Sequence, residues 1–169
     1  QMRVEGVTPN AFTFVCAFKA CGHDGAIHKG IQFHAEIFRE GLLERDHIVA
    51  NALVDMYASC GHFPKAWEVF IRLPNKTLLS WNILIGGYDA QDCSEEVLRC
   101  IEGMQHMGIA PNVFTFICIL RACSSLQIVE KGIETHAELA RKQWLHDTQN
   151  LGNTLIDMYA KCGCLSKAE

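Results

Sequence analysis

The chain of 169 residues is poor in proline, with 4 in all, whereas its 13 glycines are an ordinary share. It has no apolar run of about 18 residues and no short apolar core near its start, so neither a membrane span nor a secretory signal is indicated. It also lacks a basic excess, because its formal net charge is -4 and its pI is about 6.1. That charge argues against a protein that coats nucleic acid mainly through counterion release. A protein that reads base edges, with a few local phosphate contacts, is still allowed.

The residues that are present favour a folded and soluble chain. Hydrophobic residues make up 49% of it and charged residues 20%, which excludes disordered and collagen-like classes. The 9 cysteines are odd in number and contain no Cys-x-x-Cys pair, which argues against a disulfide framework or a zinc site. Cys60 and Cys162 fall on apolar helix faces. Buried, reduced thiols are therefore expected.

The sequence repeats itself. A shift of 102 residues aligns Phe12-Thr13-Phe14 with Phe114-Thr115-Phe116, and Ala20-Cys21 with Ala122-Cys123. Roughly 28 of the 67 overlapping positions are identical, which is the signature of a repeat architecture.

The long unit divides into three hairpins of unequal length. An Asn-x-Leu anchor begins at Asn51, Asn82 and Asn153, and Val15 and Ile117 are its apolar equivalents. The anchors are 36, 31, 35 and 36 residues apart. Uneven spacing of this kind indicates hairpins of alternating type.

Each hairpin shows the periodicity of two amphipathic helices. Apolar residues recur at i, i+3, i+4 and i+7 in the first helices, which Gly61 and Gly163 would end. Similar stripes are predicted in the second helices, and Pro9, Pro74 and Pro111 separate successive hairpins. The first-helix stripes are Leu53, Met56, Tyr57, Cys60 and Leu155, Met158, Tyr159, Cys162; the second-helix stripes are Ala66, Val69, Phe70, Leu73, then Val97, Ile101, Met104, then Ile27, Ile31, His34, Phe38.

Because one hairpin cannot bury its own apolar faces, successive hairpins must stack. The sequence therefore predicts an all-α fold, a right-handed α-solenoid of stacked helix-turn-helix repeats.

The motifs Met-Tyr-Ala-x-Cys-Gly, Ser-Trp-Asn-x-Leu-Ile, Gly-x3-His and Thr-Phe with Ala-Cys resemble those of plant pentatricopeptide repeat proteins. The unequal lengths resemble the subclass that alternates P, L and S repeats. This resemblance implies the end of a P repeat at 1–10, an L repeat at 11–46, an S repeat at 47–77, a P repeat at 78–112, an L repeat at 113–148 and the start of an S repeat at 149–169.

The resemblance implies sequence-specific binding of single-stranded RNA in a mitochondrion or chloroplast. For this subclass it further implies recognition of sites for cytidine-to-uridine editing, with protein partners in an editing complex. Family members read one base per repeat through the fifth and last residues, and the second residue sandwiches the base.

Carried over by position, the base-reading residues are Asn51 with Thr77, Asn82 with Asn112, and Asn153; the weaker L-repeat positions are Val15 with Asp46 and Ile117 with Thr148; the base-sandwiching residues are Phe12, Ile48, Leu79 and Phe114. The pair Asn82 and Asn112 resembles the cytidine-preferring combination. Asn51 with Thr77 suggests a pyrimidine.

Physical chemistry supports asparagine at a reading position, because a carboxamide both donates and accepts and can pair with the edge of an unstacked base. Valine or isoleucine would leave those groups unpaired. The alternative is that Asn51, Asn82 and Asn153 are capping or helix-start residues, since each comes just before an apolar helix.

No cofactor, metal site or catalytic activity is expected. His34-Ala35-Glu36 and His136-Ala137-Glu138 match the first half of a zinc deaminase signature, but the Pro-Cys-x-x-Cys half is absent from the sequence. Both histidines are interpreted as packed scaffold residues, each four positions after a glycine that allows close helix contact.

Two other functions are open. A tetratricopeptide array that binds a peptide shares Trp81, Leu84 and Tyr88 and the Ala66-x3-Phe70 pattern, but Ile85 stands where that pattern has glycine. A structural scaffold would need no polar readers. Because both ends of the chain fall inside repeats, uncapped apolar ends are expected to favour self-association. No membrane partner is expected.

Overall fold

The computed structural model describes residues 9–144 and 149–164. These residues form ten helices and no strand. The helices are α1 (Ala11–Asp24), α2 (Ile27–Arg39), α3 (Leu42–Arg45), α4 (His47–Ser59), α5 (Phe63–Arg72), α6 (Leu78–Ala90), α7 (Ser94–His106), α8 (Val113–Leu126), α9 (Val129–Arg141) and α10 (Gln149–Lys161). The predicted all-α fold is confirmed, whereas the short α3 was not anticipated.

The helices come in pairs, and α1, α4, α6, α8 and α10 are the first members of their pairs. Glycine ends two of these first helices as predicted. Gly61 and Gly163 have φ of 71° and 73°, the left-handed conformation that residues with a Cβ rarely adopt. Pro74 and Pro111 lie between one pair and the next, also as predicted.

The chain forms two compact units, residues 1–87 and 88–169, and the boundary falls inside α6. In the first unit α1 packs along α4, and α4 packs against α5. In the second unit α8 contacts α7, α9 and α10. Each unit therefore places first helices directly against each other, with their second helices alongside.

The core contains the predicted apolar stripes of the first helices and, as predicted, those of the second helices α5 and α7. Leu53, Met56 and Tyr57 are at most 1% exposed. Their equivalents in α10 are also buried. Because residues at i, i+3 and i+4 share one helix face, the pattern locates the buried side of these helices.

The predicted stripe of α2 is partly wrong. Ile31 and Phe38 are exposed, while Gly30 and Ile37 are buried. A Cβ on Gly30 would lie 2.6 Å from the end of the Met56 side chain. The bare glycine thus lets α2 approach α4 closely, and this turns the neighbouring isoleucine outward.

Cys60 and Cys162, predicted as buried thiols, are half-buried. Each sulfur donates to a backbone carbonyl of the preceding first helix, Cys21 O at 3.7 Å and Cys123 O at 3.8 Å. Elsewhere burial raises the pKa of the Cys100 and Cys118 thiols to about 12. These two thiols are therefore poor nucleophiles at neutral pH.

Candidate nucleic-acid interface

The five predicted anchor residues occupy the same place in the fold. Val15, Asn51, Asn82, Ile117 and Asn153 are each the fifth residue of a first helix. They lie inside helices rather than before them. The alternative that the three asparagines cap or start helices is therefore wrong.

The residue before each first helix does the capping. The Asn112 side chain accepts from Thr115 N at 3.0 Å, and the Thr115 hydroxyl oxygen accepts from the backbone N–H of Asn112 at 3.3 Å. Asn10 and Thr13 form the same capping box before α1. Capping satisfies backbone donors that the first turn of a helix leaves unpaired.

Two more residues that were predicted as the last residues of repeats also cap helices, in related ways. Asp46 Oδ1 accepts from Ile48 N at 2.9 Å and from Val49 N at 3.2 Å. Before α6, Thr77 Oγ1 accepts from Ser80 N at 3.3 Å, and Ser80 Oγ accepts from Thr77 N at 2.8 Å. The predicted reading residues at the repeat ends are thus helix N-caps. Sequence reasoning missed this role, although a short polar residue three positions before Thr or Ser signals it.

The predicted pair of the 47–77 repeat comes together around one cavity. Asn51 and Thr77 both line a cavity of about 280 Å³, together with the side chains of Arg45, His47 and Asn75. The linker between α5 and α6 forms one wall of it. Asn51 is only 8% exposed, and within the described residues its Oδ1 has no hydrogen-bond partner.

A buried, unpaired carbonyl oxygen is unusual, since most buried polar atoms are hydrogen-bonded. Leaving such a group unpaired costs roughly 1 to 3 kcal/mol. The Asn51 side chain lines the cavity, but its Oδ1 is itself buried, so a donor group on a ligand reaches this oxygen only when the side chain turns.

The remaining predicted readers differ in exposure. Asn82 is half-buried on α6 in the first unit, and Asn112 is half-buried in the second. Asn153 on α10 is exposed. Thr148, predicted to pair with Ile117, lies outside the described residues.

The predicted base-sandwiching residues are exposed rather than part of the core. Phe12 is 75% exposed, Ile48 58%, Leu79 61% and Phe114 42%. Each of these four side chains is the second residue of its first helix, so the same helical position is apolar and exposed in both units. In α10 the second position is Asn150.

The two predicted scaffold histidines form equivalent pairs. His34 Nδ1 lies 2.9 Å from the hydroxyl of Tyr57, and His136 Nδ1 lies 3.0 Å from that of Tyr159. Both imidazole rings meet the tyrosine ring edge-on, with centroids 5.7 Å apart. These contacts link a second helix to the first helix that follows, which confirms the structural interpretation. The tyrosine partner was not predicted.

Over the described residues, no three His, Cys, Asp or Glu side chains are grouped so that they could hold a metal ion. Searched over the same residues, no helix combines the length and the apolar composition that crossing a membrane requires.

Relatives of known structure share this fold. The chain is similar to the crystal structure of the pentatricopeptide repeat protein PPR10 from maize, with a TM-score of 0.76 and 22% identity over 99% of this chain and 24% of that one. It is also similar to PPR10 in complex with an 18-nt psaJ RNA element, with a TM-score of 0.74.

Sequence relatives agree. A putative pentatricopeptide repeat-containing protein of Arabidopsis thaliana is 36% identical over 99% of this chain and 25% of its own length. A chloroplastic pentatricopeptide repeat-containing protein of the same plant is 37% identical over 99% of this chain and 23% of its own length. The chain thus spans about a quarter of the length of these curated relatives.

The repeat models match the chain directly. Residues 76–125 match the PPR repeat family, and residues 48–77 and 153–169 match the PPR repeat. Together these segments cover more than half of the chain, and they favour this family over the tetratricopeptide alternative. The chain belongs to the pentatricopeptide repeat family.

Proposed function

We propose that the chain binds single-stranded RNA sequence-specifically, one base per repeat, through the fifth residues of its first helices and the N-cap residues that follow. The observation that carries this proposal is the unpaired Oδ1 of Asn51 in a cavity that Thr77 also lines. A base edge supplies the missing donor when the Asn51 side chain turns its buried oxygen towards the cavity, because cytosine carries an amino group and uracil a ring N–H at the Watson–Crick edge.

The two side chains of this cavity suit a pyrimidine. Asn51 can accept from the base, and its amide nitrogen can donate to the carbonyl oxygen that both pyrimidines carry. Thr77 uses its hydroxyl oxygen in capping α6. The cavity of about 280 Å³ is small, which favours one base edge rather than a peptide side chain with its backbone.

Exposed apolar side chains beside the readers add a second source of affinity. Ile48 lies three positions before Asn51, and Leu79 three positions before Asn82. At that spacing two residues lie on neighbouring turns of one helix face. A base held by its edge therefore rests on an apolar surface, and stacking on an aromatic such as Phe12 is worth about 1 to 3 kcal/mol.

The finer assignments rest on the resemblance. We propose P, L and S repeats with the boundaries given above, a cytidine preference for the repeat of Asn82 and Asn112, and weak discrimination by the repeats of Val15 and Ile117. An organellar transcript is the proposed target, supported by chloroplastic relatives. Selection of cytidine-to-uridine editing sites, with protein partners, is the proposed role of the longer protein.

Replacing Asn51 by Val tests the central step. The variant copies Val15 and removes the unpaired acceptor, so we expect the free energy of unfolding to rise by on the order of 1 kcal/mol. In the same variant, binding to RNAs that differ at one nucleotide should lose its base preference. Chemical denaturation and fluorescence anisotropy measure the two effects.

Gln105→Ala on α7 is the matched control, because Gln105 is exposed on a second helix. It should change neither quantity. Equal affinity of the unaltered chain for all four bases at every position would refute the reading of bases, and the scaffold function would then be favoured.

The cytidine preference has its own test in Asn112→Asp. Aspartate also caps helices, so this change keeps α8 intact whereas alanine would cost about 1 kcal/mol of capping. We expect the preference of one nucleotide to move from cytidine towards uridine. An unchanged preference would remove Asn112 from the set of readers.

A further inference from the structure

The helices with apolar fifth residues carry a cation one turn further on. Lys19 lies four residues after Val15 on α1, and Arg121 four residues after Ile117 on α8. Residues four apart share one face of a helix, so each cation lies on the face of the apolar anchor. The helices with asparagine anchors differ at this place, with Asp55 on α4, Gly86 on α6 and Asp157 on α10.

In the first unit Lys19 is exposed and lies near Asp55 of the adjacent first helix. Burial raises the pKa of the Asp55 carboxyl, and the positive charge of Lys19 opposes that rise. Lys19 is thus an exposed cation on α1, the helix that packs along α4 with its Asn51.

In the second unit Arg121 occupies the equivalent place. Its Nη1 lies 3.0 Å from Asp89 Oδ2, and the Asp89 side chain is only 14% exposed. The Arg121 side chain is 58% exposed, so the buried carboxylate fixes one edge of the guanidinium while other N–H donors face solvent. A guanidinium held in this way is suited to a phosphate oxygen.

From this arrangement we infer that Lys19 and Arg121 bind the phosphate backbone of the RNA. This inference rests on the proposed function. Val15 and Ile117 cannot pair with a base edge, and a phosphate contact carries no sequence information. These two helices therefore hold the strand, while the helices with asparagine anchors read it.

The salt dependence of binding tests the inference. For a single strand, the slope of log K against log salt changes by about 0.7 for each phosphate contact. In the 169-residue chain we expect Lys19→Gln and Arg121→Gln each to reduce the slope by about 0.7. Affinity should fall by the same factor for RNAs of different sequence.

Lys29→Gln is the matched control, since Lys29 is an exposed lysine on the second helix α2. It should leave the slope unchanged. Arg121→Lys should keep the slope, which separates a phosphate contact from a loss of folding through the Asp89 ion pair. Thermal unfolding of each variant accompanies the titrations.

Unchanged slopes in Lys19→Gln and Arg121→Gln would overturn the inference. It would also be overturned if Lys29→Gln reduced the slope equally, or if Arg121→Lys reduced the slope as much as Arg121→Gln. If base preference still responds to Asn51→Val in that case, the proposed function stands without it. If the unaltered chain binds no RNA even at low salt, the proposed function itself fails.

Discussion

Helices α4 and α10 are equivalent under the shift of 102 residues, yet they bury different faces. The side that packs on the preceding hairpin is buried in both, through Met56 and Tyr57 or Met158 and Tyr159. The other side differs. Val54 is 0% exposed, whereas its equivalent Ile156 is 51% exposed.

The hairpin that follows α4 covers this other side of the helix. Ala58 on α4 lies so close to α6 that a Cβ added to Gly87 would be 2.5 Å from the Cβ of Ala58. The linker before α6 covers Asn51. In α10, Asn153 and Ala160 are exposed. The cavity beside Asn51 is thus built in part by the linker to the hairpin that follows α4.

The largest effect on stability is expected from comparing Val54→Ala with Ile156→Ala. Removing two buried methyl groups leaves a cavity, so we expect Val54→Ala to lower the free energy of unfolding by about 2 kcal/mol. Ile156→Ala should change it by less than about 0.5 kcal/mol. Urea denaturation measures both, and similar losses would contradict the asymmetry.

A smaller effect is expected at a position where the equivalent helices α4 and α10 carry different residues. Position 152 is glycine in α10, while the equivalent Ala50 is buried in α4. A Cβ at Gly152 would meet no atom within 4 Å. Gly152→Ala should therefore stabilise the chain by about 0.5 to 1 kcal/mol through its helix propensity.

Thermal unfolding checks this second prediction, with Gly87→Ala as the contrasting variant. There the new methyl group would collide with Ala58, so destabilisation is expected. Destabilisation by Gly152→Ala as well would mean that this face of α10 is closely packed.

The smallest effect concerns pH. Burial lowers the pKa of His34, and the positive charges of Lys65 and Arg72 lower it further. The folded state disfavours the protonated imidazole ring of His34. Near the ordinary histidine pKa of about 6.5, the unfolded chain therefore binds more protons than the folded chain. Stability is then full above that pH and falls as pH decreases below it.

Unfolding free energies between about pH 5 and 8 should show this slope, and His34→Gln should reduce it. Gln keeps a polar group beside Tyr57. An unchanged slope in the variant would assign the pH dependence to other groups.

Much of the fold could be predicted because the first helices bury regular stripes. Leu53, Met56 and Tyr57 follow the helical period, and Gly61 ends the helix in the left-handed conformation. The rotation of α2 could not be predicted, since both faces of that helix carry isoleucine and phenylalanine. The contact between Gly30 and Met56 and the packing of Phe33 on α1 decide which face is buried.

The candidate site was predicted by position but not by environment. Spacing located Asn51 and Asn153 at the same helical place, yet one is enclosed and the other is exposed. Burial of this kind depends on the adjacent hairpin and its linker, which a local pattern does not contain. The capping role of Thr77 and Asn112 was missed although Ser80 and Thr115 stand three positions further on, and Asp46 lacks that signal because Val49 stands there.

That capping role restricts how specificity could be re-engineered. A side chain at these positions must start the next helix, and only Asp, Asn, Ser, Thr and Gly do so well. A designer who wanted a larger or charged group there would weaken the neighbouring hairpin. Under the proposed function, the set of residues available for changing the RNA target is therefore limited in part by helix initiation.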